Sequence, residues 1–111
     1  MNRIPMSASA SAVLRVLVGR SGAPRDRILL SDVQSVDWQS LTFAGERHEI
    51  DLRVRGPNSR EIIDRMCHRL EDAEFSIPGV IVADIGIAGE IRSGFDRSTT
   101  VTVEALTVLE D

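Results

Sequence analysis

Arg47-His48-Glu49-Ile50-Asp51-Leu52-Arg53-Val54-Arg55-Gly56-Pro57-Asn58-Ser59-Arg60-Glu61-Ile62-Ile63-Asp64-Arg65-Met66-Cys67-His68-Arg69-Leu70-Glu71-Asp72 is the stretch on which the fold turns. Ile50, Leu52 and Val54 alternate with charged residues, the period of a half-buried strand. Gly56-Pro57 ends it, because proline lacks a ladder donor and restricts the residue before it. Asn58 is a favourable N-cap, and Glu61 three residues on is placed to reach the free N–H groups of a first turn. A helix is expected from there, with Ile62, Ile63, Met66, Cys67 and Leu70 on its apolar face and Arg60, Asp64, Arg65, Arg69 and Glu71 opposite. This strand, break and amphipathic helix contain no obvious chemistry.

Around it, 111 residues suffice for a single domain (1–111) with one modest core. An apolar share of 42% and a charged share of 27% are ordinary for a globular chain, which argues against disorder throughout. With only Trp38, Phe43, Phe75 and Phe95 as aromatics, the core must be built from Ile, Val and Leu, a composition that favours sheet. Every basic residue is arginine. Five arginines against Asp26 give the first 30 residues +4, and eight arginines against 16 acids give the rest −8. An acidic body argues against sequence-independent nucleic-acid binding, which needs a clustered basic face. One cysteine, Cys67, cannot form an internal disulfide and fits a reducing compartment. No apolar run has the length of a membrane span, and the N-terminus does not read as a signal peptide, so a cytoplasmic protein is expected.

In chain order, Met1 to Met6 reads as a loose end. Ser7 to Val18 fits a helix with Val13, Leu14, Leu17 and Val18 on one side, although Val16-Leu17-Val18 also fits a strand; the Ala-rich spacing favours the helix. Gly19 to Pro24 reads as a loop. Arg27 to Val36 is expected as a strand whose apolar phase shifts at Ser31-Asp32, as a bulge would shift it. Asp37 to Glu46 then reads as a connection longer than a tight hairpin needs, carrying Trp38, Leu41 and Phe43. Those three either fold back onto their own core or face a partner subunit. Ile77-Pro78-Gly79 is a turn into a strand from Val80 to Ala88 with Ile81, Ala83, Ile85 and Ile87 inward. Glu90 to Arg97 is a polar hairpin connection containing Phe95, and Ser98 to Leu109 is a last strand with Val101, Val103 and Ala105 on one face. The expected fold class is α+β: a two-layer sandwich, with a four-stranded, mostly antiparallel sheet and one or two helices on one face.

Catalytic groups do not converge in this pattern. Cys67 and His68 are adjacent and project about 100° apart on a helix, so they do not form a nucleophile and base. His48 lies beside Glu46 and Glu49, but two histidines and one thiol without ligand spacing make a weak metal site. Asp64 is expected to pair with His68 at four residues' spacing. Gly19-Arg20-Ser21-Gly22 lacks the lysine and the strand-to-helix setting of a phosphate loop. The expectation is therefore a non-enzyme without cofactor or metal.

From about Arg27 onward the chain resembles the tail-terminator (tail-completion) proteins of long-tailed bacteriophages and of gene transfer agents. The residues that carry the likeness are Val36-Asp37-Trp38-Gln39-Ser40, Gly45-Glu46-Arg47-His48, the alternating strand Glu49 to Arg55, the helix Ser59 to Leu70, Ile77-Pro78-Gly79-Val80 and the closing Val101 to Asp111. The likeness is one of pattern, and members usually begin with a longer helix and loop than this chain has. It implies a virion structural protein that assembles as a hexameric ring on the end of the tail tube and meets the head-side connector. The partners implied are further copies of itself, the tail tube protein and the connector protein. It also implies assembly in the cytoplasm and residence in the virion tail. A ring of this kind needs two different patches on each subunit. Trp38, Leu41 and Phe43 are the candidates for one, and Phe95 for the other. An acidic body suits a ring through which DNA slides, since like charges repel. The alternative is a small α+β regulatory or adaptor domain that binds a protein or small ligand through its sheet.

Overall fold

The structure is a computed structural model that describes residues 4–110; part of the expected loose end, residues 1–3, and the closing Asp111 lie outside it. Helix α1 spans Ala8–Ser21, opened by Ser7, whose Oγ accepts from the Ala10 N–H at 3.1 Å. It closes on Gly22, whose φ of 67° is the left-handed conformation glycine adopts at little cost. The helix thus runs three residues beyond Val18 into the expected loop. Its buried face is Ser9, Ala10, Val13, Leu17 and Ser21, with Leu14 packed beside it, while Val18 is only half-buried.

Strands β1 (Ile28–Gln39) and β2 (Ala44–Val54) form a hairpin, followed by α2 (Ser59–Cys67), β3 (Val80–Ser93) and β4 (Thr99–Leu109). All neighbouring strands are antiparallel, in the order β1-β2-β4-β3. Both helices pack on one face, giving the α+β domain expected from the periodicities. The core lies between the layers. Val13 and Leu17 of α1 and Ile62, Ile63 and Met66 of α2 meet Ile50, Leu52 and Val54 of β2, Val101, Val103 and Ala105 of β4, and Ile85 of β3. The alternation in β2 thus sends its three apolar residues to the helices. On the bare face, the register sets Glu49 beside Glu104 and Asp51 beside Thr102, which donates to the Asp51 carboxylate at 2.6 Å.

Several local expectations are corrected. The bulge in β1 falls where the phase changed, between Leu30 and Asp32, but the strand then continues through Trp38 to Gln39. The connection is therefore only residues 40–43. Asn58 does not cap α2 through its side chain, because its own φ of 63° turns that side chain away from the first turn. Buried Ser59 instead ties the helix start to β4, donating to Arg97 O at 2.7 Å with Thr99 Oγ1 at 2.7 Å. The helix ends at Cys67, and Leu70 reaches the core from a separate 3₁₀ turn, Leu70–Asp72. Asp64 pairs with Arg60, not His68. In β3, a bulge between Val82 and Asp84 reverses the phase, so Val82 and Ile85 pack inward while Ile81 and Ala83 are exposed. Ile87 shares the core-facing row with Val103 but remains partly exposed on this edge strand. The strand also runs on through a second irregularity between Ala88 and Arg92, leaving Gly94 to Ser98 as the hairpin turn.

Two arginines lock the helices end to end. Arg20 donates to the carbonyls of Met66 (2.9 Å) and His68 at the end of α2, and Arg65 donates to Ser21 O at the end of α1 (3.0 Å). Each cation meets the free carbonyls and the negative end of its neighbour's helix dipole.

Candidate functional site

The antiparallel register fixes where the candidate side chains stand. Gln39 pairs with Ala44 and Gly45 with Val108, so the β1–β2 turn lies at one end of the sheet. Ser93 pairs with Thr99, which puts the β3–β4 turn at the other. About ten residues of strand, roughly 30 Å, separate the two.

At the first end, Ser40 organises the turn. Its N–H donates to Phe43 O at 2.8 Å, and its Oγ accepts from the N–H groups of Phe43 (3.1 Å) and Thr42 (3.4 Å). This pins residues 40–43 and leaves Leu41 fully exposed and Phe43 at 53% exposure. Trp38 is no loop residue: it is half-buried within β1, opposite Gly45. The sequence grouped Trp38, Leu41 and Phe43 in one long connection, whereas the structure gives Leu41 and Phe43 to the tip and Trp38 to its base. At the second end, Gly94 N–H donates to Ser98 O at 2.8 Å, and Asp96 accepts from the Ser98 N–H and hydroxyl. Those hydrogen bonds and the Arg53 guanidinium paired with it hold the Asp96 carboxyl below its usual range. Phe95 stands fully exposed on this turn, away from the other three candidates.

Between the first turn of α1 and the base of the β1–β2 hairpin lies a cleft of about 490 Å³, lined by Ser9, Asp37, Trp38, Gln39, Ala44, Gly45, Glu46, Thr107 and Leu109. Asp37 and Glu46 sit directly opposite each other in the register, and among the described residues neither is in an ion pair. Sequence reasoning missed this cleft because its walls join residues 37–46 to Ser9 near one end of the chain and to Thr107 and Leu109 near the other. A signal did exist: carrying the alternation of β1 two residues past Val36 would have brought Asp37 and Trp38 to opposite faces of a strand.

The titratable groups suspected from sequence are structural. His48 is buried, with Ser35 Oγ 2.7 Å from Nδ1 and Thr107 Oγ1 2.8 Å from Nε2, so it ties β1, β2 and β4 together. The weak metal reading of His48 gives way to this, since both ring nitrogens are already engaged. Burial pushes its pKa below the ordinary 6.5, opposed by Glu46. A depressed histidine pKa makes the unfolded chain the better proton acceptor. Stability is therefore expected to fall as the pH drops through about 6.5 and to level off below the folded-state pKa. Urea midpoints measured from about pH 7.5 to about pH 5 check this, and His48→Gln, whose amide does not titrate, should lack the step. Equal pH dependence in the variant would assign it elsewhere. Burial likewise raises the half-buried Cys67 thiol to about 11, so it is protonated at neutral pH and is no nucleophile; His68 is exposed.

Among the described residues, no group of three or more His, Cys, Asp or Glu is arranged to hold a metal ion, and no helix is long and apolar enough to cross a membrane. Compared with known proteins, the chain matches no family model and no curated protein.

Proposed function

We propose that this chain is an interaction domain of the adaptor type, without catalysis of its own, that binds a protein partner at the β1–β2 end of its sheet. One observation carries the reading: Leu41 and Phe43 are held out from the body on a four-residue turn pinned by three hydrogen bonds to Ser40 and Phe43. Exposed apolar groups on a rigid support lose little conformational freedom on docking, which is why such anchors dominate protein interfaces. A photo-reactive benzoyl-phenylalanine at position 41, expressed in the organism of origin, is expected to form discrete protein adducts that Phe43→Ser abolishes. The same probe at the exposed helix position Arg15 is the control. Adducts no different from that control would end this reading.

A second reading, the tail-terminator ring, is favoured by a separate observation. The two exposed apolar tips occupy opposite ends of the sheet, and a head-to-tail ring needs two unlike patches on each subunit. In that reading the partners are further copies, a tail tube protein and a head-side connector. A terminator should cap growing tail tubes seen by electron microscopy, and unchanged tube lengths would remove it.

A further inference from the structure

One buried polar side chain is left unspent. Ser21, His48, Ser59, Ser98, Thr99 and Thr107 each engage a partner, whereas Ser9, only 7% exposed, makes no side-chain hydrogen bond among the described residues. No side-chain oxygen or nitrogen there is both sealed from solvent and unbonded, so the Ser9 hydroxyl keeps an opening, and the cleft that Ser9 lines supplies it. The same hollow holds two carboxylates. Asp37 and Glu46 face each other across β1 and β2 on the helix side of the sheet, in phase with His48 and Ile50, and neither is in an ion pair among the described residues. Like charges so placed weaken a strand pair. Trp38 alternates to the bare face, so the apolar wall on this side is Leu109, 57% exposed, together with Ala44.

We propose that this cleft receives an arginine side chain of the protein partner bound at the β1–β2 end: the guanidinium lies between Asp37 and Glu46 and donates to Ser9 Oγ, and the aliphatic stem rests on Leu109 and Ala44. Directly opposed strand residues have Cβ atoms about 5 Å apart, so the two carboxylates can each take one edge of a planar guanidinium, a fork that an ammonium lacks. An apolar wall beside the acids suits a charged head on an alkyl stem better than a bare ion. The inference rests on the interaction-domain reading and deepens it, by naming the chemistry that the partner presents beside Leu41 and Phe43.

Titration of the full chain with N-acetyl-arginine amide, followed in amide NMR spectra, tests it. The signals of Ser9, Glu46 and Thr107 should shift together and saturate, while those of the Phe95 turn stay in place. The neutral analogue N-acetyl-citrulline amide should bind about tenfold more weakly or worse, and so should the arginine probe to the double variant Asp37→Asn/Glu46→Gln. Ser9→Ala should weaken binding roughly threefold with a circular dichroism melt like that of the parent chain, since the hydroxyl holds nothing in the fold. Asp37→Asn should bind less well yet melt higher, because one of two facing charges is gone. No saturable shift at those three amides, equal binding of the citrulline probe, or a double variant that binds as the parent does overturns the proposal. The photo-probe at position 41 separates the two failures. Discrete adducts that persist undiminished in Asp37→Asn/Glu46→Gln refute the arginine contact and leave the interaction domain standing, whereas adducts no different from the Arg15 control refute that domain and its partner together.

Discussion

Ile63→Asp is expected to abolish the folded state. Ile63 has no exposed surface and sits in the core between α2, α1 and the sheet. The substitution removes a side chain whose burial contributes about 1.5–3 kcal/mol. It also places a carboxylate where neither water nor a cation reaches it, which costs several kcal/mol more. A domain of this size is stable by roughly 5–15 kcal/mol, so the two losses together consume most or all of the margin. Circular dichroism should show loss of structure, and urea titration should show no cooperative transition at ordinary temperature. A melt like that of the parent chain would place Ile63 outside the core.

Gly45→Ala is expected to have the next largest effect, though it adds one methyl group. A Cβ at position 45 would fall 1.9 Å from the Thr107 carbonyl oxygen and 2.9 Å from its carbon. Both obstacles are backbone atoms of β4, so relief requires β2 and β4 to part. We expect a loss of about 2–4 kcal/mol and a melting temperature lower by roughly 10–20 °C, read by calorimetry. The damage would also reach the cleft, since Gly45 and Thr107 both line it. An unchanged melting temperature would mean that the hairpin end shifts freely.

These two positions mark how far the sequence was legible. Ile63 could be placed because helical spacing identifies a buried face without knowing what covers it, and the same holds for the alternation Ile50, Leu52, Val54. Gly45 looked like an ordinary residue near the end of a connection. Its constraint comes from a strand 62 positions further along, which local pattern cannot report. Bulges explain most other differences. Periodicity carries phase information only while the period is unbroken, and the extra residue near Ala83 put Ile81 and Ala83 outward and Val82 inward, while Ile85 kept its expected inward place. At Ser31-Asp32 the phase change was visible, but Ser40 to Phe43 was not separable from the strand before it. Leu41 and Phe43 were open between their own core and a partner, and only the pinned turn decides for exposure. The cleft was not legible, because Ser9, Asp37, Glu46, Thr107 and Leu109 meet only once the sheet has formed.

The strand order β1-β2-β4-β3 also bears on how fast the chain reaches its native state. Each hairpin closes a short turn and can form early from neighbouring residues. The pairing of β2 with β4 joins residues such as Ile50 and Val103 across nearly half the chain, and it must wait for a long loop to close. The central seam is therefore expected to form last, and until it does the two hairpins would expose the apolar faces that later meet as one core.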